Sequence, residues 1–289
     1  MKNLSEEMEE EFQRVLIRYA IERLLYRLTQ SDYIGDFVLK GAMLFCYWNQ
    51  KLHRATKDLD LLGTGESSVD QLEEIFRTIC GVVVVDDGLR FNKDKVRGVE
   101  IREDQEYEGV RILMGAALDS ARIPLQIDIG FGDVIVPSPQ LVEYPTILEF
   151  PSPHLKAYPR ETTIAEKYQT IVRFGIASSR VKDFYDIWFL AQKFTFDGQK
   201  LSGAIGATFK RRRTTIPLEI PVALSADFFN NKNKQAQWRA FIEKGRLEIS
   251  VPDLRKVSSF LEQFLIPPAL AAATRENFTF TWSPPGPWQ

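Results

Sequence analysis

The sequence predicts a mixed α/β (α+β) chain in which a first half built on a sheet with flanking helices precedes a helical second half. Three observations carry this. Up to about residue 133, short apolar or β-branched runs alternate with stripes of apolar residues at helical spacing. From Pro137 to Pro159 the chain is rich in proline and has little periodicity, as expected of a surface connector. From Glu161 onward the apolar residues recur at three- and four-residue steps. The expected division is an α/β domain over 1–150 and a helical domain over 151–289, and a chain of 289 residues is long enough for a core in each.

The elements follow in order. Phe12, Val15, Leu16, Tyr19, Ala20, Leu24 and Leu28 form one stripe, so 5–29 reads as an amphipathic helix with Ser5 as its N-cap. A strand over Phe37–Leu39 leads into a short helix beginning near Gly41. A strand over Asp58–Leu62 precedes a helix marked by Val69, Leu72, Ile75, Phe76 and Ile79. The run Gly81–Val85 is β-branched and reads as a strand stopped by Asp86-Asp87-Gly88. Strands at about 96–102, 107–117 and 123–133 complete the sheet. Helices are expected at 161–175, 179–194, 198–211, 232–244 and 252–265, with the aromatic tail 278–289 extended and docked by its rings.

Composition narrows the chemistry. The hydrophobic share of 44%, the charged share of 26% and the net charge of −2 are those of an ordinary globular protein and announce no nucleic-acid binder in the total. The cysteines, Cys46 and Cys80, have no metal-ligand spacing and suit a reducing compartment. The acidic N-terminus lacks an apolar signal region and no run approaches a membrane span, so the expected location is cytoplasmic. The two histidines, His53 and His154, leave no multi-histidine zinc site or histidine-based triad with choices to spare. Chemistry here runs on carboxylates, lysine, hydroxyls and a metal.

The candidate residues fit that list. On a strand, Asp58 and Asp60 share one face, roughly 7 Å apart, with Leu59 and Leu61 turned to the core. Such a pair can hold hard cations, although a solvated strand end has the same pattern. Asp128 sits in the middle of the alternating run Ile123–Asp133, where it either completes a two-metal clamp or pairs with an Arg or Lys. Lys40-Gly41-Ala42, between strand and helix, allows backbone N–H groups to approach a phosphate, and serves equally as a turn. Asp183 and Asp186 lie three apart on a helix interleaved with Phe184, Tyr185 and Trp188. The basic run Lys210–Arg213 reads as a solvated helix end or a contact for RNA phosphates.

The blocks Leu39-Lys-Gly-Ala-Met-Leu44, Arg54-Ala-Thr-Lys-Asp-Leu-Asp60, Ala157-Tyr-Pro-Arg-Glu161, Ala165-Glu-Lys167 and Arg180-Val-Lys-Asp-Phe-Tyr-Asp186 resemble, in order, those of the AbiEii/AbiGii toxins. That family belongs to the DNA polymerase β-like nucleotidyltransferases. The resemblance spans roughly residues 10–195. It implies a polymerase-β-type sheet bearing the metal acids and a helical domain completing the cleft. It implies Mg2+ (or Mn2+) on Asp58 and Asp60, with Asp128 as third acid, and an NTP co-substrate. Lys40, Gly41 and Ala42 then form the phosphate turn, with Ala42 standing where the family carries a hydroxyl. Arg54 and Thr56 match the segment leading into the acids, Lys167 the lysine that holds phosphates, and Asp183 the acid of the last motif, with Asp186 close behind. The implied reaction transfers an NMP to an acceptor hydroxyl, such as a tRNA 3′ end or a protein side chain. Asp128, or in second place Asp183, orients or deprotonates that hydroxyl. The family further implies a toxin of an AbiE-like phage-defence pair with a cognate antitoxin protein. Two rivals stand beside this: a catalytically inactive fold that binds a partner protein, and a small-molecule nucleotidyltransferase of the antibiotic-modifying kind.

Overall fold

The computed structural model describes residues 1–49, 56–65, 68–103, 106–245, 247 and 249–289. It divides into two compact units, Met1–Gly132 with Gln140–Ala157, and Asp133–Pro139 with Tyr158–Gln289.

In the first unit, α1 (Lys2–Glu7) and α2 (Phe12–Thr29) lead into β1 (Phe37–Lys40), α3 (Leu44–Asn49), β2 (Asp58–Gly63) and α4 (Val69–Cys80). Then come β3 (Leu89–Phe91), β4 (Arg97–Glu103), β5 (Glu106–Leu118), β6 (Ala121–Phe131), β7 (Gln140–Glu143) and β8 (His154–Ala157). Among the described residues these strands form one mixed sheet in the order β3-β5-β6-β2-β1-β8-β7, with β4 also paired to β5. The parallel pairs are β2 with β6 and β1 with β8. The expected mixed α/β architecture is therefore observed.

One face of the sheet is apolar, and its alternation sets every register. Leu59 and Leu61 on β2 and Ile127 and Ile129 on β6 are buried. Ile112 on β5 lies opposite Ile127, and Gly98 on β4 opposite Ile112. A side chain at Gly98 would strike Val69 at the start of α4, so the glycine lets α4 lie close on this face. Ser68 and Gln71 close a capping box at the start of α4. The other face carries the half-exposed polar residues of the same strands.

Several expected elements differ. The first helix is interrupted: Glu9 adopts a left-handed φ of 52°, α2 begins at Phe12, and Ser5 lies within α1, donating its hydroxyl to Lys2 O rather than capping. The short helix starts at Leu44, after a turn over 41–43. Gly81–Val85 is not a strand, and the nearby strand is β3. The reason lies in Asp87, buried and ion-paired to Arg23 (3.2 Å) and Arg27 (2.6 Å) of α2. This anchor draws the turn inward, and Val83 is left 94% exposed. The proline-rich connector contributes β7 and β8 to the sheet, because Leu155 and Ala157 supply the apolar partners that β1 lacks on its second edge.

The second unit contains α5 (Arg160–Phe174), α6 (Val181–Lys193), β9 (Phe196–Asp197), α7 (Gly198–Arg211), α8 (Ala226–Phe229), α9 (Lys232–Gly245), α10 (Leu254–Thr274) and β10 (Thr281–Trp282). The aromatic tail docks as expected. Trp282 is fully buried, pairs through β10 with β9 and donates its indole N–H to Ala191 O (2.8 Å). The last long helix runs past its expected end at 265, through Pro267 and Pro268. Pro268 has no N–H for the carbonyl of Phe264, four residues back. The Trp288 indole N–H takes that place (3.0 Å), so the tail repairs the defect the prolines make. Among the described residues, no helix is long and apolar enough to cross a membrane.

Candidate active site

In the first unit the candidate residues of three strands, with an arginine on a fourth, form a line across the sheet. Lys40 on β1 is the antiparallel partner of Asp60 on β2. Asp60 is the parallel partner of Asp128 on β6, and Asp128 the antiparallel partner of Arg111 on β5. Residues directly opposite across a ladder point to the same face with Cβ atoms about 5 Å apart, so the line reads Lys, Asp, Asp, Arg on the polar face. Asp58 lies one alternation earlier on β2, beside Gln126. The three acids expected from the sequence are thus gathered on neighbouring strands.

Gly41 makes this possible. Its φ of +75° is in the left-handed region that glycine adopts without strain, and a Cβ there would collide with the Asp60 carboxylate. The turn after β1 therefore folds directly against a metal-binding candidate. Ala42 behind it is buried. Thr56 lies within the described residues and is half-buried, whereas Arg54 lies outside them.

Asp128 has a partner that sequence reasoning did not single out. The Arg111 guanidinium grips it with a two-point fork, Nε to Oδ1 and one terminal N–H to Oδ2, both 2.8 Å. Gln126 donates to the same two oxygens at 3.2 and 3.3 Å. The bond to Asp128 raises the Arg111 pKa above its ordinary value, and the nearby charges of Asp128, Asp58 and Asp60 act in the same direction. The signal was available: the hairpin turn at Asp119-Ser120 pairs Leu118 with Ala121, and counting back along that ladder puts Arg111 opposite Asp128.

In the second unit, Lys167 of α5 is clamped by two acids of α6. Its ammonium donates to Asp183 Oδ1 at 2.6 Å and lies 2.8 Å from Asp186 Oδ2. Asp183 and Asp186 are buried, among the aromatic residues that marked this helix as unlike a wet surface. Beside this clamp, Arg212 forks onto Asp133 (3.1 and 3.0 Å), reaches Glu166 at 3.4 Å and donates to Gln169 at 3.0 Å. Burial would lower the Arg212 pKa, but Glu166 and Asp133 outweigh it and raise the value. One arginine of the basic run 210–213 is thereby turned inward and ties residues 133–139 to this unit.

Two carboxylates one alternation apart on a strand, a glycine turn packed against one of them and a third acid on the next strand are thus grouped on one face of the mixed sheet. The family model of the nucleotidyl transferase AbiEii toxin, type IV toxin–antitoxin system, matches residues 23–260, and the chain belongs to that family. No curated protein matches it. Among solved structures, it is similar to MenT4, a nucleotidyltransferase toxin from Mycobacterium tuberculosis, with a TM-score of 0.53, 18% identity, and 94% of this chain and 98% of that one covered. It is also similar to a candidate nucleotidyltransferase from H. pylori, with a TM-score of 0.50, 14% identity, and 92% and 96% covered. At these identities the likeness speaks for the fold.

Among the described residues no group of three or more His, Cys, Asp or Glu is placed to hold a metal ion, so the candidate donors are a pair. Asp58 and Asp60 offer hard oxygen donors on one face, and the Arg111 guanidinium already stands as a cation against the third acid.

Proposed function

We propose that this chain is the toxin of an antitoxin-controlled pair and transfers an NMP from an NTP to an acceptor hydroxyl, with a tRNA end as the acceptor, in the cytoplasm. The observation that carries the reading is the in-register line of Lys40, Asp60 and Asp128, with Gly41 packed on Asp60, in a member of this toxin family.

Asp58 and Asp60 would hold Mg2+ or Mn2+, which when bound neutralises charge on the transferring phosphoryl group. The turn Lys40-Gly41-Ala42 offers backbone N–H groups and one ammonium to the phosphates. Lys167 is the second unit's candidate for a phosphate contact, with Asp183 and Asp186 fixing where its ammonium sits. In the transfer, the acceptor oxygen bonds to the α-phosphorus, the bond to the β-phosphate's bridging oxygen breaks, and pyrophosphate leaves. Asp128 is the candidate to orient the hydroxyl and receive its proton, a role that would require one bond of the Arg111 fork to open.

A second reading has one observation behind it. Ala42 supplies no hydroxyl to the turn, as expected if the fold had become an inactive partner-binding module. The test is to incubate the purified protein with each labelled NTP, Mg2+ and total tRNA, beside an Asp58→Ala/Asp60→Ala variant. Label on RNA that vanishes in the variant supports transfer. No label on any acceptor, with Mg2+ or Mn2+, would sink it in favour of the binding module. Label on a small aminoglycoside-like acceptor alone would replace tRNA as the substrate.

A further inference from the structure

The cation reading of Asp58 and Asp60 leaves the state of the third acid open, and the inference here rests on that reading. A carboxylate that serves as a metal ligand needs an oxygen lone pair directed at the ion. In Asp128 both oxygens are engaged by one rigid guanidinium, each at 2.8 Å, and both also receive the Gln126 amide. A planar fork matched to a carboxylate is the most directional ion pair that protein side chains make, and it carries a permanent positive charge. Arg111 is set in this position by backbone register, as the direct ladder partner of Asp128, rather than by a wandering side chain. The line across the sheet is therefore flanked by two basic residues, Lys40 at one end and the anchored Arg111 at the other.

We propose that Arg111 is a positioning residue that sets the cation occupancy of this site. With its fork closed on Asp128, the acid row takes a single divalent cation, at Asp58 and Asp60. Asp128 is held by that fork in a fixed orientation, outside the ligand set. The guanidinium occupies the place and charge that a second divalent ion would need, since two cations about 5 Å apart repel one another on this half-exposed face.

The test is Mn2+ binding by the full-length protein, followed by the electron paramagnetic resonance signal of free Mn2+ and needing no turnover. Circular dichroism melting of each variant confirms the fold. Wild type is expected to bind one Mn2+ per chain. Arg111→Gln frees Asp128 and removes a positive charge, so a second Mn2+ should appear, or the first should bind roughly five- to ten-fold more tightly. Asp128→Asn leaves the guanidinium uncompensated and should weaken the single ion several-fold. The double variant Arg111→Gln/Asp128→Asn removes both members of the pair and should return to nearly wild-type binding.

Arg111→Gln that binds Mn2+ as wild type does would overturn the inference, as would a double variant no tighter than Asp128→Asn, because Asp128 would then be a ligand in its own right. Two Mn2+ per wild-type chain would overturn it too. These failures differ from failure of the cation reading, in which wild type binds no Mn2+ or in which Asp58→Asn/Asp60→Asn binds as well as wild type.

Discussion

Each unit gathers carboxylates around a cation, and the two do so under opposite conditions. On the sheet of the first unit, Asp58, Asp60 and Asp128 are half-exposed and sit side by side with like-charged neighbours. In the second unit, Asp183 and Asp186 are buried and both face one ammonium, that of Lys167. Crowded, partly wet acids resist one another and gain from an added cation; buried acids that already hold one are part of the fold. On the proposed function the first arrangement receives a charge, whereas the second already holds one.

The sharpest break between them comes from removing one acid of each. Asp60→Asn should lower nucleotidyl transfer on the order of 10^3-fold, the effect of several kcal/mol of lost charge stabilisation, with only a small change in melting temperature because the side chain is half-exposed. Transfer by Asp60→Asn at the wild-type rate would remove the sheet acids from the chemistry. Asp186→Ala should instead cost about 3 kcal/mol in urea unfolding, because it takes one partner from a buried pair. A loss under about 0.5 kcal/mol would mean that this clamp is no more structural than a surface pair.

A second contrast lies within the first unit, between the half-exposed acids and Glu22, which is buried in α2. Burial raises the Glu22 pKa to about 7, against the opposing pull of the Ile147 N–H (2.7 Å) and Arg23. The folded value lies above the unfolded one, so the folded chain holds the proton more strongly. The stability this contributes is complete below about pH 4.5 and is lost as pH rises towards about 7. Glu22→Gln keeps an acceptor for Ile147 without the ionisation. It should be more stable than wild type by about 3 kcal/mol at pH 7.5 and nearly equal to it at pH 4.5. Equal unfolding curves for both proteins at the two pH values would show that Glu22 ionises in the fold as readily as in the unfolded chain, its burial offset by solvent or by Arg23.

The same contrast separates what could be read in the sequence from what could not. Asp58, Asp60 and Asp128 were legible because strand alternation is a local rule: Leu59, Leu61, Ile127 and Ile129 must be buried, so the acids between them must face the other way. Lys167 and its two acids were nameable through the family blocks, and the aromatic neighbours in α6 warned that these were not surface charges. Partnerships between distant residues were harder. Arg111 needed the hairpin register, and Asp87 needed the position of α2, without which Gly81–Val85 looked like a strand on propensity alone. The strands β7 and β8 were hidden because four-residue segments among prolines carry almost no periodicity; only the free edges of β1 and β8 call them into the sheet.

The smallest expected effect tests the turn that joins the phosphate segment to the acids. Gly41 and Gly65 share nearly the same left-handed backbone, φ +75° and +72°, but only at Gly41 does the space for a Cβ belong to Asp60; around Gly65 nothing among the described residues lies within 4 Å. Alanine at either position should pay the same backbone strain, about 1 kcal/mol in urea unfolding. Gly65→Ala should therefore keep wild-type Mn2+ affinity and transfer. Gly41→Ala must in addition displace the Asp60 carboxylate, and should weaken Mn2+ binding while losing little more stability than its control. If the two variants bind Mn2+ alike, the contact between the turn and Asp60 has no bearing on the cation site, and Gly41 is there only for its backbone.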